Sequence, residues 1–319
     1  MNGFHPAGRG GVATLTTNPA IDQTVSLDTL QPGKINRAHA MRFDAGGKGV
    51  IVAQRLADYG VPTAVTGFLG RNGADLFEHT FADKGIHDAF VRVDGAPRTN
   101  VKITEADSQQ TTDINMVGGV VEPQSIVALF EKIDELAKTC SWFAFGGRLQ
   151  DSLPPDLYAR LIERLRAAGC RVLLDSSGQP MRLGAAAGPE VLKPNIEELT
   201  ELVGRPLVGL NDVLAAARGL LNGHTRLVVV SMGEEGALLV REEEALLARP
   251  PKVTVQSTVG AGDAMVAGLI AGLRAELPLA DIARLATAFS LCAVTRLERK
   301  LPDEAVLADW QAQVVVESV

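Results

Sequence analysis

A disulfide framework and a zinc site are both out of reach for a chain with three cysteines, no Cys-x-x-Cys pair and five scattered histidines. Cys140, Cys170 and Cys292 lie far apart in sequence, and His5, His39, His79, His87 and His224 match no triad or metal spacing, so they receive no role. Thinly spread thiols suit a reducing, cytoplasmic setting. A basic surplus is missing too: the net charge is −7, which argues against a nucleic-acid surface. An acidic protein can still hold an anionic substrate in a locally positive pocket, using a few specific cations. No run approaches the roughly 18 apolar residues of a membrane span, and Met1 to Gly11 has no apolar leader region. The first eleven residues read as a disordered extension, with 12–319 forming a single domain.

Aromatic residues are scarce, at 4%, while there are 32 glycines. That balance points to tight strand-to-helix turns packed with small aliphatic side chains. Short β-branched or aliphatic runs read as buried strands at Val12–Thr16, Thr63–Thr66, Trp142–Phe145, Val172–Asp175, Val191–Lys193 and Leu227–Ser231. Between them apolar residues recur at helical spacing over Gly49–Tyr59, Ala74–Lys84, Ser125–Lys138, Pro155–Ala168, Asp212–Leu221 and Leu279–Ala293. Strand and helix alternating in this way predict an α/β fold, a mostly parallel sheet covered on both faces. Two segments break the rhythm, at about 24–43 and 98–117. There apolar and polar residues alternate with period two, as in Val101-Lys102-Ile103-Thr104, which suits a half-exposed antiparallel sheet. We read these segments as a small lid outside the main core.

The sharpest chemical signal is Ser257-Thr258-Val259-Gly260-Ala261-Gly262-Asp263, followed by an apolar run through Leu273 that reads as a buried helix. Glycines at a helix entry turn backbone N–H groups toward an anion, and the helix dipole adds positive potential. A carboxylate in that first turn can take the proton from a hydroxyl that attacks a phosphoryl group, a reaction that needs mainly positioning and charge neutralisation. The plainer reading is a glycine turn with Asp as a helix cap. Two familiar phosphate motifs are excluded. Gly46-Gly47-Lys48-Gly49 lacks the Ser/Thr and upstream Gly of a P-loop, and Met265 stands where a dinucleotide fingerprint needs its third glycine.

Eight stretches, in order, resemble the PfkB/ribokinase family of sugar kinases from Val12 to about Thr295. They are Thr14-Leu15-Thr16-Thr17-Asn18-Pro19-Ala20-Ile21-Asp22, Ala45-Gly46-Gly47-Lys48-Gly49, Gly67-Phe68-Leu69-Gly70 and Arg98-Thr99-Asn100-Val101-Lys102-Ile103. Leu174-Asp175-Ser176-Ser177-Gly178, Leu192-Lys193-Pro194-Asn195-Ile196-Glu197-Glu198-Leu199 and Ser231-Met232-Gly233-Glu234-Glu235-Gly236-Ala237 lead to the Val-Gly-Ala-Gly-Asp box. The start, the Gly-Gly-Lys-Gly and the Arg-x-Asn-Val-Lys are most similar to the 1-phosphofructokinase branch, with tagatose-6-phosphate kinases close by. The resemblance implies a ribokinase-like three-layer α/β/α domain with a β-sheet lid. It implies ATP as co-substrate, Mg²⁺ as cofactor, a sugar phosphate as acceptor and a homodimer formed through the lids.

It also implies roles by residue. Asp263 would be the base, with Gly260, Ala261 and Gly262 as anion hole. Asp22 would hold sugar hydroxyls, with Gly46, Gly47 and Lys48 lining the sugar site. Arg98, Lys34 and Arg37 would bind the phosphate already on the acceptor, as a dianion requires Arg or Lys donors. A plainer reading leaves these three as solvated charges on a surface sheet. Lys193, Ser231, Gly233, Glu234 and Gly236 would contact the nucleotide, against a reading of the last four as a simple turn. Asn195-x-x-Glu198 would organise Mg²⁺ through water, and the same pair has capping-box spacing, which is compatible.

The chain departs from the family pattern at two positions. The usual Gly-Gly-Lys-Gly-x-Asn has Ile51 in place of its Asn, and a lost hydrogen-bonding partner costs on the order of 1–3 kcal/mol. The usual Gly-Ser-Leu-Pro reads Gly147-Arg148-Leu149-Gln150, so Arg148 stands where a serine helps hold phosphate. The expected reaction is phosphorylation of D-fructose 1-phosphate to fructose 1,6-bisphosphate. The same chemistry on tagatose 6-phosphate or fructose 6-phosphate is the variant reading, and a catalytically weak sugar-phosphate sensor is the alternative of another class.

Overall fold

A computed structural model describes residues 9–108, 110–296 and 300–319. Residues 1–8, most of the expected N-terminal extension, lie outside the described residues. The fold is a three-layer α/β/α arrangement around an 11-stranded sheet. Along the sheet the strands run Val315–Ser318, Ala245–Arg249, Ala237–Val240, Leu227–Ser231, Val191–Leu192, Arg171–Asp175, Cys140–Gly146, Gly11–Thr16, Thr63–Gly70 and His87–Asp88, with Val91–Val93 also pairing Thr63–Gly70. Every pairing from Leu227–Ser231 to His87–Asp88 is parallel. The central strand Gly11–Thr16 is buried at all positions, as a strand covered on both faces must be.

Each face carries its own apolar layer. One side packs Pro123–Leu136, Leu157–Ala167, Gly178–Ala186, Ile196–Val203 and Gly209–Gly219 against residues such as Phe143, Phe145 and Leu174. The other packs Lys48–Asp58, Ala261–Arg274 and Leu279–Thr295 against Trp142, Leu173 and Val229. Ala261–Arg274 is buried on all sides from Asp263 to Gly272. Its Gly268 lies so close to its neighbour that a methyl group there would meet Ala286 Cα at 2.7 Å. Small residues thus let the two apolar helices touch backbone to backbone, which fixes the helix that follows the glycine turn.

Three features were not anticipated from the sequence. The strands Ala237–Val240, Ala245–Arg249 and Val315–Ser318 extend the sheet in antiparallel fashion. The helices Gly178–Ala186 and Glu304–Gln313 bury only Met181 with Gly184, and Leu307, so neither prints an apolar period.

A second, four-stranded sheet forms the lid, in the order Ala40–Gly46, Ala20–Leu27, Arg98–Glu105, Thr111–Ile114. Its outer pairs are antiparallel, but Ala20–Leu27 and Arg98–Glu105 run parallel, so the sheet is mixed and not the antiparallel one expected: period-two alternation marks a half-buried strand whatever the direction of its partner. Within the segment 24–43, strand gives way to a Pro32-Gly33 loop spanning 28–39. The lid joins the body through short tethers. Thr17 to Pro19 separate its first strand from the central strand Gly11–Thr16, and Gly47 alone separates its second strand from the helix Lys48–Asp58.

Candidate active site

The carboxyl ends of the parallel strands converge below the lid, the place where open α/β sheets bind ligands. Gly147 donates to Asp175 O at 3.0 Å, Lys193 donates to Leu174 O at 3.0 Å, and Asn195 bridges Ser231 in parallel. Facing them is the entry turn of Ala261–Arg274. Gly260 caps that helix in the left-handed region at φ 82°, a conformation that strains any side chain. Asp263, in the first turn, is 7% exposed.

Two ammonium groups border this turn. Lys193, 3% exposed, places its Nζ 3.7 Å from where a Cβ on Gly262 would stand. The same Nζ is 3.3 Å from Asp175 Oδ1, while Lys48 Nζ is 3.4 Å from Asp175 Oδ2. Asp175 is therefore clamped between two lysines, one opening the helix Lys48–Asp58 and one just past the strand Val191–Leu192. Burial works to raise its pKa, but Lys193 and Lys48 outweigh burial and hold it below the usual carboxylate range. For Lys48, burial pulls downward, yet Asp175, Asp263 and Glu198 together raise the pKa above the usual value. Three carboxylates thus converge on one ammonium group. Glu198 itself is pushed upward, chiefly by burial, with Asp175 adding to the rise.

The lid supplies the other wall. Asn100 Nδ2 donates to Asp22 Oδ1 at 3.1 Å. Gly46 is pressed against the same carboxylate, since a Cβ there would fall 2.3 Å from Asp22 Oδ2. Arg98 Nη1 donates to Asn100 Oδ1 at 3.2 Å and to Met116 O at 2.9 Å, and its Nη2 donates to Asn18 O at 3.3 Å. Burial lowers the Arg98 pKa, with Asp22 opposing. Asp22, Arg98, Gly46, Gly47 and Lys48 therefore come together. Lys34 and Arg37 do not join them: both are exposed in the loop 28–39, beyond the last lid pair Ser26–Ala40. Arg148 is exposed as well, its side chain 78% accessible and 3.5 Å from Asp151. Its neighbour Gln150 instead turns inward and donates to Thr17 O.

The chain matches the model of the pfkB family carbohydrate kinases over residues 15–304. It belongs to that family. Curated relatives include a 1-phosphofructokinase of Rhodobacter capsulatus, 46% identical over 309 residues covering 97% of this chain and 98% of the relative. One of Xanthomonas campestris pv. campestris is 45% identical over 315 residues, covering 96% and 98%. Among solved structures, phosphofructokinase-2 of Escherichia coli in complex with fructose-6-phosphate superposes with a TM-score of 0.88 at 28% identity, covering 95% of this chain and 98% of that one. As a carbohydrate kinase the protein is a phosphotransferase that moves a phosphoryl group from ATP to an alcohol.

In this kinase the Asn195–Glu198 pair forms a true capping box: Asn195 Oδ1 accepts from Glu198 N and Glu198 Oε2 accepts from Asn195 N, both at 2.8 Å. Among the described residues no three His, Cys, Asp or Glu side chains cluster as a direct metal cage. The hard oxygens of Glu198 and Asn195, in a site with more carboxylates than ammonium groups, fit a Mg²⁺ held largely through water. Ser231 ends its strand, and Gly233–Glu235 form one 3₁₀ turn, closed by Met232 N donating to Gly236 O at 2.8 Å. Glu234 is exposed on that turn. Asp175 carried no role in the sequence reading, although it lies inside a matching motif. A carboxylate ending a strand buried on both faces is the signal that would have found it, since such a charge needs paired cations.

Proposed function

We propose that this kinase phosphorylates D-fructose 1-phosphate at its free primary hydroxyl, giving fructose 1,6-bisphosphate and ADP. The observation that carries the proposal is the placement of Asp263: a buried carboxylate in the first turn of a glycine-entered helix that Lys193 borders, and close enough to Lys48 to raise its pKa. The curated relatives named 1-phosphofructokinase support the acceptor.

Asp263 takes the proton of the attacking hydroxyl as the new O–P bond to the γ-phosphorus forms and the bond to the β-phosphate oxygen breaks. ADP leaves with that electron pair, and Asp263 then returns its proton to solvent. The backbone N–H groups of Gly260, Ala261 and Gly262 and the Lys193 ammonium stabilise charge on the transferring group. Asp22, braced by Asn100, orients the sugar hydroxyls over Gly46 and Gly47. Arg98 offers charge-assisted donors to the resident phosphate. Lys34, Arg37 and Arg148 serve that phosphate only if loop 28–39 or the Arg148 side chain moves. Ser231, Gly233, Glu234 and Gly236 border the nucleotide. Asn195 and Glu198 would hold Mg²⁺ through water, and the ion would supply charge neutralisation for the ATP phosphates.

The cytoplasm is the proposed compartment, consistent with three buried free thiols and use of ATP. A homodimer through the lids is part of the same reading. Val25, Met41, Phe43, Val101, Ile103 and Ile114 share the lid face opposite Asp22, and Met41, Phe43 and Ile114 are exposed. Such a face calls for a partner, and light scattering that gives a monomer at working concentration refutes the dimer.

A coupled ADP-release assay over a panel of ketose phosphates tests the function. Fructose 1-phosphate should give the highest kcat/KM. Absence of turnover on every member, despite tight sugar-phosphate binding, overturns the assignment. A preference for fructose 6-phosphate, the ligand of the Escherichia coli phosphofructokinase-2 structure, moves the acceptor and leaves the chemistry intact.

A further inference from the structure

The helices Ala261–Arg274 and Leu279–Thr295 meet along a seam that can be followed contact by contact. A Cβ on Gly272 would stand 3.0 Å from Ile282 Cγ1, and a Cβ on Gly268, one turn earlier, would stand 2.7 Å from Ala286 Cα. Ile282, Ala286 and Ser290 lie one turn apart in succession, so they share a face of Leu279–Thr295. The next contact in the row is polar: the half-buried Ser290 donates from Oγ to Ala261 O at 2.8 Å. A hydroxyl within a helix commonly bonds back to the carbonyl one turn before it, as Thr295 Oγ1 does with Leu291 O at 2.7 Å. Ser290 instead reaches across to the neighbouring helix, where the glycine contacts leave the two backbones little room to shift.

Ala261 O and Gly262 N–H are the two ends of one planar peptide group. Among the described residues Gly262 N–H has no partner in the protein, whereas Ala261 N donates to Thr258 O at 3.3 Å and Ala264 N to Gly260 O at 2.9 Å. Lys193 Nζ, 3.7 Å from where a Cβ on Gly262 would stand, borders the same spot. A donor at the carbonyl end of a peptide draws electron density away from its N–H end, and linked hydrogen bonds strengthen one another in this way by roughly 10–30% each. The structure assigns Ser290 a positioning role in phosphoryl transfer: its hydroxyl fixes the tilt of the Ala261–Gly262 peptide and sharpens Gly262 N–H as a donor to the transferring group. This assignment rests on the anion hole proposed above. Ser290 acts through the backbone of the neighbouring helix, and an alignment that serves the transferring group more than the bound ground state shows in kcat rather than in KM.

The test is a donor series at one position in the full-length protein: wild type, Ser290→Cys with its weaker S–H donor, and Ser290→Ala with none. On whichever ketose phosphate the wild type turns over fastest, kcat should fall in that order, by about three- to tenfold for Ser290→Ala. The KM values for ATP and the sugar phosphate should stay nearly level. Titration calorimetry with ADP, Mg²⁺ and aluminium fluoride, a mimic of the transferring phosphoryl group, should weaken in the same order, while ADP alone binds all members of the series equally. A hydroxyl that merely fastens the two helices gives another pattern: Tm falls while kcat and mimic affinity stay level across the series, and that result overturns the proposal. A change confined to KM overturns it too. If the wild type turns over no ketose phosphate, the acceptor assignment fails on its own account. The calorimetric series needs no turnover and still decides the role of Ser290, with equal mimic affinity in every member counting against it.

Discussion

Replacing Asp175 with Asn keeps the shape of the side chain and removes the carboxylate that both Lys48 and Lys193 contact directly. The two lysines do not lose equally. Lys193 is 4% exposed at its side chain and Lys48 is 40% exposed, so solvent screens the second loss and the first dominates. Breaking a buried ion pair from one side costs about 3–5 kcal/mol, because the remaining charge is stranded. For a domain of this size that corresponds to a fall in Tm on the order of 5–10 °C. The effect has a pH signature. Asp175 sits below its ordinary range, so its stabilisation is present above the unfolded-state carboxylate value and is lost as pH falls through the lower folded value. The gap in Tm between wild type and Asp175→Asn should therefore be full at neutral pH and close between about pH 5 and about pH 2. Catalysis suffers through position: an ammonium group displaced by ~1 Å beside the anion hole lowers kcat roughly a hundredfold. Thermal denaturation across pH, with steady-state kinetics at neutral pH, reads both. A variant with wild-type Tm and wild-type kcat at neutral pH refutes the clamp.

Asp263→Asn should keep ATP and sugar-phosphate affinity and lose about 10²–10⁴-fold in kcat; a near-wild-type rate removes Asp263 as base. Gly46→Ala puts a methyl group 2.3 Å from Asp22 Oδ2, so the KM for the sugar phosphate should rise with little change for ATP, and equal changes in both KM values would count against Asp22 in the sugar site. Arg98→Ala should act chiefly on the sugar-phosphate KM, and an unchanged KM excludes it from the phosphate site. Burial raises the Glu198 pKa, so the carboxylate takes up its proton at a higher pH than usual and the Mg²⁺ requirement should steepen on mild acidification. Glu198→Gln should abolish that dependence; a persisting one places the metal elsewhere.

The parallel core was legible because buried strands such as Val12–Thr16 and Leu227–Ser231 are continuous aliphatic runs between helices with clear apolar periods. The helices Gly178–Ala186 and Glu304–Gln313 escaped because each rests on one or two buried contacts. The glycine turn before Asp263 could be read directly, since a left-handed cap and a buried first turn both leave marks in the sequence. Arg148 could not, because its orientation depends on a pairing with Asp151 that no motif encodes. The Lys48–Asp175–Lys193 clamp was equally hidden: its members come from three separate motifs and meet only once the sheet has brought their strand ends together. Asn195 and Glu198 allowed two readings, and the structure shows the cap in full while leaving oxygen donors of the kind a hydrated Mg²⁺ prefers.

The lid's tethers carry a consequence for how this chain can change over time. Its first strand springs from the central strand through Thr17 to Pro19, its second runs into the helix Lys48–Asp58 through Gly47, and Arg98 grips the backbone at Asn18 and Met116. On the proposed assignment, the residues that recognise the acceptor are mounted on a separate panel, bolted on at the rim of the site, while Asp263 and its glycine turn are sunk in the helix held by Gly268 against Ala286. Mutations can accumulate on the panel without disturbing the machinery beneath it. A chain built this way can exchange one sugar phosphate for another and keep the same phosphoryl chemistry throughout.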